Sequence, residues 1–170
     1  MALLVTVIGL AAPTLSRFFR ARTLEEEARR FLALTRYGQE RAISSGVPMI
    51  LWLDTVSGTY GLREQNGFGS RALGVVPTTG LNPRTPVTKN FRLSDRLHFE
   101  LPPPTQGGGL QTVIRFGPDG AIDDSSPRYV ILRQDDQAGL AVVQTDSHLT
   151  YEISQDANPA HLAQWARHSP

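Results

Sequence analysis

The chain has 170 residues, which suits one domain or one domain with an appendage. Apolar residues make up 40% of it and charged residues 19%, enough for a hydrophobic core and against wholesale disorder. The 17 Lys and Arg nearly balance the 16 Asp and Glu, which argues against a general polyanion binder. Cysteine is absent, which excludes disulfides, thiolate metal sites and cysteine nucleophiles.

The N-terminal segment is almost wholly apolar from Ala2 to Ala12. As a helix it would be about 16 Å long, against about 30 Å for the hydrocarbon core of a bilayer, so it cannot span a membrane as written. No basic residue precedes it, which argues against a secretory signal. Two interpretations stay open: a buried core helix, or a membrane helix whose true start lies upstream of Met1. Pro13 predicts a kink.

An amphipathic helix is predicted from Thr23 to Ser44, because apolar residues recur there at helical spacing. Thr23 to Glu26 also fits a capping box, so a break after Arg22 stays open. Gly46 and Pro48 predict the end of the helix. The face that we expect to pack on the domain carries Leu24, Ala28, Phe31, Leu32, Leu34, Thr35, Ala42 and Ile43. Charged residues occupy the opposite face, which favours a solvated surface.

Beyond Pro48 the apolar period changes to two, which indicates short antiparallel strands separated by Gly- and Pro-rich turns. The predicted strands cover residues 49–54, 59–63, 91–93, 97–101, 112–116, 128–133, 140–145 and 149–153, with a further short one near 72–76. A short helix is predicted in the tail, residues 158–170. The expected fold class is α+β, with a long N-terminal helix packed on an antiparallel β-sandwich of about seven to nine short strands.

No constellation of residues indicates catalysis, and we expect no catalytic, cofactor or metal site. The four histidines are scattered, and neither a GxSxG motif nor a P-loop occurs. The carboxylate pairs Asp123-Asp124 and Asp135-Asp136 lie in predicted turns, where turn chemistry explains them better than acid–base catalysis. Such pairs can bind calcium, but no EF-hand spacing is present.

The order of these parts resembles a known family. Residues 9–19, 25–62 and 114–133, the last with a Phe-x-Pro-Asp-Gly turn at 116–120, resemble the H-type minor pseudopilins of type II secretion and the FimT-like minor pilins. The resemblance implies a helix that first anchors in the bacterial inner membrane and then packs into a filament core, carrying a periplasmic β-sandwich.

The resemblance also divides the chain. Residues 1–46 would form the helix, with a membrane or filament part at 1–16 and an amphipathic part at 17–46. Residues 47–170 would form the periplasmic β domain with a flexible tail. The membrane or filament part would use Leu3, Leu4, Val7, Ile8, Leu10 and Pro13.

The start of the chain departs from the family pattern, since it has no basic leader, no Gly-Phe cleavage site and no glutamate at the fifth mature position. The simplest hypothesis is that Met1 corresponds to a residue inside the membrane helix. As written, the chain should be neither cleaved nor methylated, and prepilin peptidase would be a partner only if a leader exists upstream.

The partners implied are the other minor pseudopilins, the major pseudopilin and the inner membrane. A plausible contact loop carries Asn66, Phe68, Arg71, Asn82 and Arg84. Two alternatives stay open. One is a FimT-like minor pilin acting in pilus assembly or DNA uptake, although residues 146–153 contain no arginine and nucleic acid binding is not expected. The other is a soluble module whose loop at 66–87 recognises a ligand.

Overall fold

The computed structural model of the protein describes residues 2–65, 89–102, 111–134 and 138–168, with side chains of the N-terminal helix from Arg22 onward. Helix α1 spans Ala2–Ser45. Within these described ranges eight strands follow it, and a second helix, α2, spans Pro159–His168. The strands are β1 Met49–Asp54, β2 Thr59–Glu64, β3 Lys89–Arg92, β4 Leu97–Glu100, β5 Gln111–Phe116, β6 Tyr129–Gln134, β7 Ala138–Gln144 and β8 Tyr151–Ser154.

Helix α1 is continuous over its 44 residues, on both sides of Pro13 and through Arg22. The break after Arg22 that the sequence left open does not occur. Thr23 to Glu26 therefore lie inside the helix and do not cap its N-terminus. Its end agrees with the sequence prediction. Gly46 follows the last helical residue with a φ of 65°, a left-handed conformation that favours glycine after a helix.

One face of α1 supplies part of the hydrophobic core. Its buried side chains include Leu24, Ala28, Phe31, Leu34, Thr35 and Ala42, and Leu32 is half-buried beside them. Ile43 is the least covered residue of the predicted face, since it is 55% exposed. Ala42 points into the core, so the 100° step to the next residue turns Ile43 to the edge of the packed face. There it lies over the turn at Gly120.

The strands form two antiparallel sheets of four, in the order β3-β2-β1-β5 for the first sheet and β4-β6-β7-β8 for the second. The predicted fold class, a long helix packed on an antiparallel sandwich of short strands, is therefore confirmed. Helix α1 contacts strands of both sheets.

The predicted strand near 72–76 and the loop residues Asn66, Phe68, Arg71, Asn82 and Arg84 lie outside the described residues.

The main core joins α1 to the inner faces of both sheets, and aromatic rings mark the junction. Phe31 of α1 lies 5.7 Å, centroid to centroid, from both Tyr60 of the first sheet and Phe99 of the second. Tyr60 and Phe99 also meet edge to face at 5.5 Å, and Phe91 stacks on Tyr60 at 5.4 Å. Offset and edge-on ring contacts of this kind add about 0.5–1.5 kcal/mol each beyond burial.

A second, smaller core lies on the outer face of the second sheet, where α2 covers it. Leu162 of α2 is 5% exposed against four strand residues, with Trp165 and Ala166 beside it. The strand residues are Tyr129, Ile131, Ala141 and Val143. The predicted tail helix is present at Pro159–His168, and its apolar face packs on the second sheet.

Candidate assembly surfaces

The part of the chain that the structure describes contains no group of three or more His, Cys, Asp or Glu side chains that could hold a metal ion. Asp123 lies in a turn, where its carboxylate accepts a hydrogen bond from the backbone N–H of Ser125 at 2.9 Å. Bonds from the hydroxyl and backbone of Ser125 hold the pKa of Asp123 below its ordinary value. This geometry is turn chemistry, as the sequence indicated. Asp135 and Asp136 lie outside the described residues.

The solvent side of α1 carries charged residues that pair along the helix. Arg22 contacts Glu26 at 2.8 Å and Arg29 contacts Glu25 at 2.6 Å, both exposed and four residues apart. A groove of about 380 Å³ lies over the middle of the helix. Its lining residues are Arg29, Leu32, Ala33, Arg36, Tyr37 and Glu40. Exposed pairs of this kind contribute little stability, so they leave the charged side of α1 a solvated surface.

Glu27 is a buried charged residue of α1 that sequence reasoning missed. Its side chain is 6% exposed, accepts a hydrogen bond from the Tyr60 hydroxyl at 3.3 Å, and pairs with Arg30 one turn further on. Burial, followed by the negative charge of Glu27, raises the pKa of Tyr60 well above its ordinary value. The sequence could have indicated that Glu27 is buried, because on a helical wheel it falls between Leu34 and Phe31 of the packed face.

Gln39 connects α1 to turns that follow strands of both sheets. Its Nε2 donates to the carbonyl oxygen of Gly120 at 2.7 Å and to that of Leu149 at 2.6 Å. The side chain of Ile43, one turn further along α1, lies against the same Gly120 turn. The C-terminal half of α1 is therefore attached to the domain by directed hydrogen bonds as well as by apolar packing.

The outer face of the first sheet can be reconstructed from the strand registers. Arg63, Ile50 and Arg115 form one cross-strand row, and Asn90, Gly61, Trp52 and Val113 form the next. Arg92, Thr59, Asp54 and Gln111 form a third. Their strand neighbours Leu51, Leu62 and Ile114 point into the core, so alternation turns these rows outward. We call this surface the arginine face.

The outer side of the second sheet differs, because α2 covers it and an acidic groove opens beside the helix. The groove, of about 360 Å³, contains Asp146, Glu152, Asp156, His161 and Trp165 among its lining residues. His161 Nδ1 lies 3.3 Å from Asp156 Oδ2. Backbone and His161 hydrogen bonds hold the pKa of Asp156 below its ordinary value, so its carboxylate is charged at neutral pH.

The N-terminal half of α1 continues the helix beyond this domain-packing part of the chain. Residues 2–21 are helical and add about 30 Å of helix before Arg22. The expected membrane or filament residues lie in this half: Leu3, Leu4, Val7, Ile8, Leu10 and Pro13. Within the described residues, no helix has a stretch both long enough and apolar enough to cross a bilayer.

No family model matches the chain, and no curated protein matches it. Among solved structures, it is similar to the minor pseudopilin EpsH from the type 2 secretion system of Vibrio cholerae. That match has a TM-score of 0.53 and 12% identity, and covers 79% of this chain and 98% of EpsH. It is also similar to the type IV minor pilin FimU of Pseudomonas aeruginosa, with a TM-score of 0.51, 12% identity, and coverage of 82% and 92%.

The two matches cover nearly the whole of each solved structure, 98% of EpsH and 92% of FimU. They agree with the resemblance seen in residues 9–19, 25–62 and 114–133, and with a helix that packs on two antiparallel sheets of four strands each. The protein therefore has the fold of the H-type minor pseudopilins and minor pilins.

Proposed function

We propose that this protein is a structural subunit of a pilin-like assembly, and specifically a minor pseudopilin of a type II secretion system that aids export of folded proteins across the outer membrane. The observation that carries the proposal is the continuity of α1. Its residues 24–42 build the core of a globular domain, and the same unbroken helix continues into a segment that is apolar in sequence from Ala2 to Ala12.

The physical argument concerns what each half of α1 needs. The C-terminal half buries its apolar side chains within its own chain. The N-terminal half has apolar residues such as Leu3, Val7 and Ile8, which are stabilised by lipid or by the helices of neighbouring subunits. A helix that can exchange one apolar environment for the other suits a subunit that is stored in the inner membrane, with its domain in the periplasm, and then enters a filament.

Under this proposal the protein is not an enzyme, and its partners are the other minor pseudopilins and the major pseudopilin. A minor type IV pilin acting in pilus assembly or DNA uptake is the second candidate, favoured by the likeness to FimU. The C-terminal surface argues against DNA there, because Asp146, Glu152 and Asp156 line its groove.

The first experiment is a clean deletion in the native host, with extracellular enzyme, twitching motility and DNA uptake measured side by side. Loss of extracellular enzyme with motility and uptake intact supports the secretion subunit. The opposite pattern supports the minor pilin, and no change in any of the three contradicts both.

A second experiment tests the role of the N-terminal half of α1 by complementing the deletion. The variant Ile8→Asp places a charge in the apolar segment, where it costs about 2.5–3.5 kcal/mol at the centre of a membrane helix. We expect it to fail to complement and to leave the membrane fraction. Ala33→Asp makes the same charge change at an exposed position in the domain-packing half of α1 and serves as the control. Full complementation by Ile8→Asp would contradict the role proposed for this segment.

A further inference from the structure

Two cations lie beside Tyr37, where α1 packs on β2 and β3. Gly38 approaches β2 so closely that a Cβ added there would lie 2.8 Å from Leu62 Cδ1. Lys89 of β3 is opposite Leu62, and its Nζ lies 3.8 Å from the centroid of the Tyr37 ring. Arg41 follows Tyr37 one turn further along α1, on the same side of the helix. We call Tyr37, Arg41 and Lys89 the seam site.

The seam site is separate from the outer face of the first sheet. Leu62 points into the core, so Lys89, directly opposite it, stands on the inner side of β3 next to α1. Lys89 is exposed, and Tyr37 and Arg41 are half-buried. The seam site therefore opens to solvent along the border between α1 and β3.

Neither cation of the seam site has an ion pair with a described residue. The Nε atom of Arg41 is buried and also has no hydrogen-bond partner among the described residues. Residues 1–21, 66–88 and 103–110 contain no Asp or Glu, and the acids at 135–136 belong to the connection between two strands of the second sheet. A buried guanidinium nitrogen without an acceptor costs free energy, which an acceptor from another molecule would recover.

A protein carboxylate fits the seam site better than a phosphate does. The guanidinium of Arg41 matches the two oxygens of a carboxylate, and Lys89 adds a point charge. Lipid headgroups are out of reach, because α1 is about 38 Å long from Ala12 to Tyr37, whereas each headgroup layer is about 5–8 Å thick. Two cations are also few for a nucleic acid, whose binding depends on many phosphate contacts.

We propose that the seam site binds an Asp or Glu side chain of a different subunit of the pilin-like assembly. The inference rests on the proposed function, under which the neighbours of this protein are the other minor pseudopilins and the major one. Arg41 and Lys89 hold the carboxylate, and the Tyr37 ring packs against the stem of the same side chain. The contact needs no internal ion pair to break, because both cations are unpaired within the described residues.

The test places the photo-crosslinking residue p-benzoylphenylalanine at position 37 of the full chain, expressed in the deletion strain of the native host. We expect an adduct with another pilin-like subunit, and mass spectrometry should map it within one helical turn of an Asp or Glu of that subunit. Arg41→Glu/Lys89→Glu should reduce the adduct at least about tenfold. Replacing the mapped acid of the partner by Arg should restore the adduct in that double variant.

Two further variants separate the contact from folding. Arg96→Glu/Arg167→Glu reverses two exposed charges away from the seam site and should keep the adduct. Arg41→Met removes the unpaired guanidinium but keeps an aliphatic stem to pack on α1. Its urea midpoint should equal or exceed that of the wild type, while its adduct should fall. Circular dichroism checks that every variant is folded, and the crosslinking residue at position 40 repeats the test one turn from position 36.

Several results would overturn the proposal. The adduct could be absent at both crosslinking positions, map to a second copy of this chain, or map to a segment without a nearby carboxylate. It could also survive Arg41→Glu/Lys89→Glu, or disappear equally in Arg96→Glu/Arg167→Glu. A large drop in the urea midpoint of Arg41→Met would show that this guanidinium serves the fold instead.

This experiment and the deletion fail separately. If the deletion abolishes secretion or pili while Arg41→Glu/Lys89→Glu keeps its adduct, the subunit function stands and the seam contact does not. If the adduct depends on both cations and on the partner's acid but the deletion has no phenotype, the contact stands and the function proposed for it does not.

Discussion

Glu27 on α1 accepts a hydrogen bond from the hydroxyl of Tyr60 on β2 at 3.3 Å, in an interface where both side chains are buried. Arg30 pairs with the same carboxylate from the solvent side. A buried carboxylate needs such partners, because leaving it unpaired costs several kcal/mol. The Glu27–Tyr60 contact therefore links α1 to the first sheet by a directed hydrogen bond in addition to the apolar packing.

Removing this acceptor should destabilise the domain. Glu27→Ala leaves the buried Tyr60 hydroxyl without its partner, and we expect a loss of about 1–3 kcal/mol in the free energy of unfolding measured with urea. Glu27→Gln keeps an acceptor and should lose less. Glu26→Ala, which breaks the exposed pair with Arg22, is the control and should change stability by less than about 1 kcal/mol. Equal losses at positions 26 and 27 would contradict the role of the buried contact.

Stability should fall at alkaline pH because buried tyrosines resist ionisation. Burial raises the pKa values of Tyr60 and Tyr151 above the ordinary value of 10.0. Above that pH the unfolded chain loses these protons while the folded chain keeps them, so stability is full below about pH 10 and decreases as pH rises, by up to about 1.4 kcal/mol per pH unit for each tyrosine.

The measurement is the urea midpoint between about pH 9 and pH 11, compared with Tyr151→Phe. That variant loses the hydrogen bond to the Pro127 carbonyl oxygen, so its stability is lower throughout. Its decline with pH should nevertheless be shallower, since one titrating group is gone. Parallel slopes for the wild type and Tyr151→Phe would show that Tyr151 ionises freely in the folded protein.

Gly61 on β2 is required by the close approach of its neighbours. A Cβ added there would lie 2.3 Å from the backbone oxygen of Lys89 on β3 and 2.9 Å from Trp52 Cζ2. Because the first contact is with backbone of a paired strand, Gly61→Ala should separate β2 from β3 and cost about 1–3 kcal/mol. Asn90→Ala, at the exposed position opposite Gly61 on β3, is the control, expected within about 0.5 kcal/mol of the wild type. If Gly61→Ala leaves the free energy of unfolding unchanged, β3 moves away from β2 at no cost in stability.

The hydrogen bonds of Gln39 should hold the C-terminal half of α1 to the domain. Gln39→Ala removes two bonds, to Gly120 and Leu149, and we expect a loss of about 1–2 kcal/mol. Hydrogen exchange should quicken in both turns, at residues 117–120 and 145–150, more than in the central strands. Glu40→Ala, at the neighbouring exposed position, is the control. Faster exchange spread evenly over the chain would indicate general destabilisation instead.

Helix α2 should contribute to stability through its apolar face. Leu162→Ala removes a side chain that is 5% exposed against the second sheet, and we expect a cost of about 2–3 kcal/mol. Arg167→Ala, on the exposed side of α2, should be close to neutral. Thermal unfolding followed by circular dichroism compares the two. If Leu162→Ala unfolds like Arg167→Ala, the packing of α2 is not coupled to the folding of the domain.

Local patterns in the sequence predicted most elements of the fold. The apolar spacing from Leu24 to Ala42 predicted an amphipathic helix, Gly46 and Pro48 predicted its end, and alternation after Pro48 predicted short strands. These features depend on periodicity, on φ preferences and on turn chemistry, each of which acts over a few residues. The membrane or filament role of the residues before Pro13 stays a prediction.

Contacts between distant residues were decided only in the tertiary structure. Glu27 is buried because Tyr60 and Arg30 satisfy its charge, Ile43 is exposed because Ala42 takes the inward position, and α2 is packed because the second sheet has an apolar outer face. The order of strands in the two sheets sets the rows of the arginine face. Sequence by itself determined which segments fold into helix or strand, whereas burial and surface depend on partners far along the chain that only the packed structure brings together.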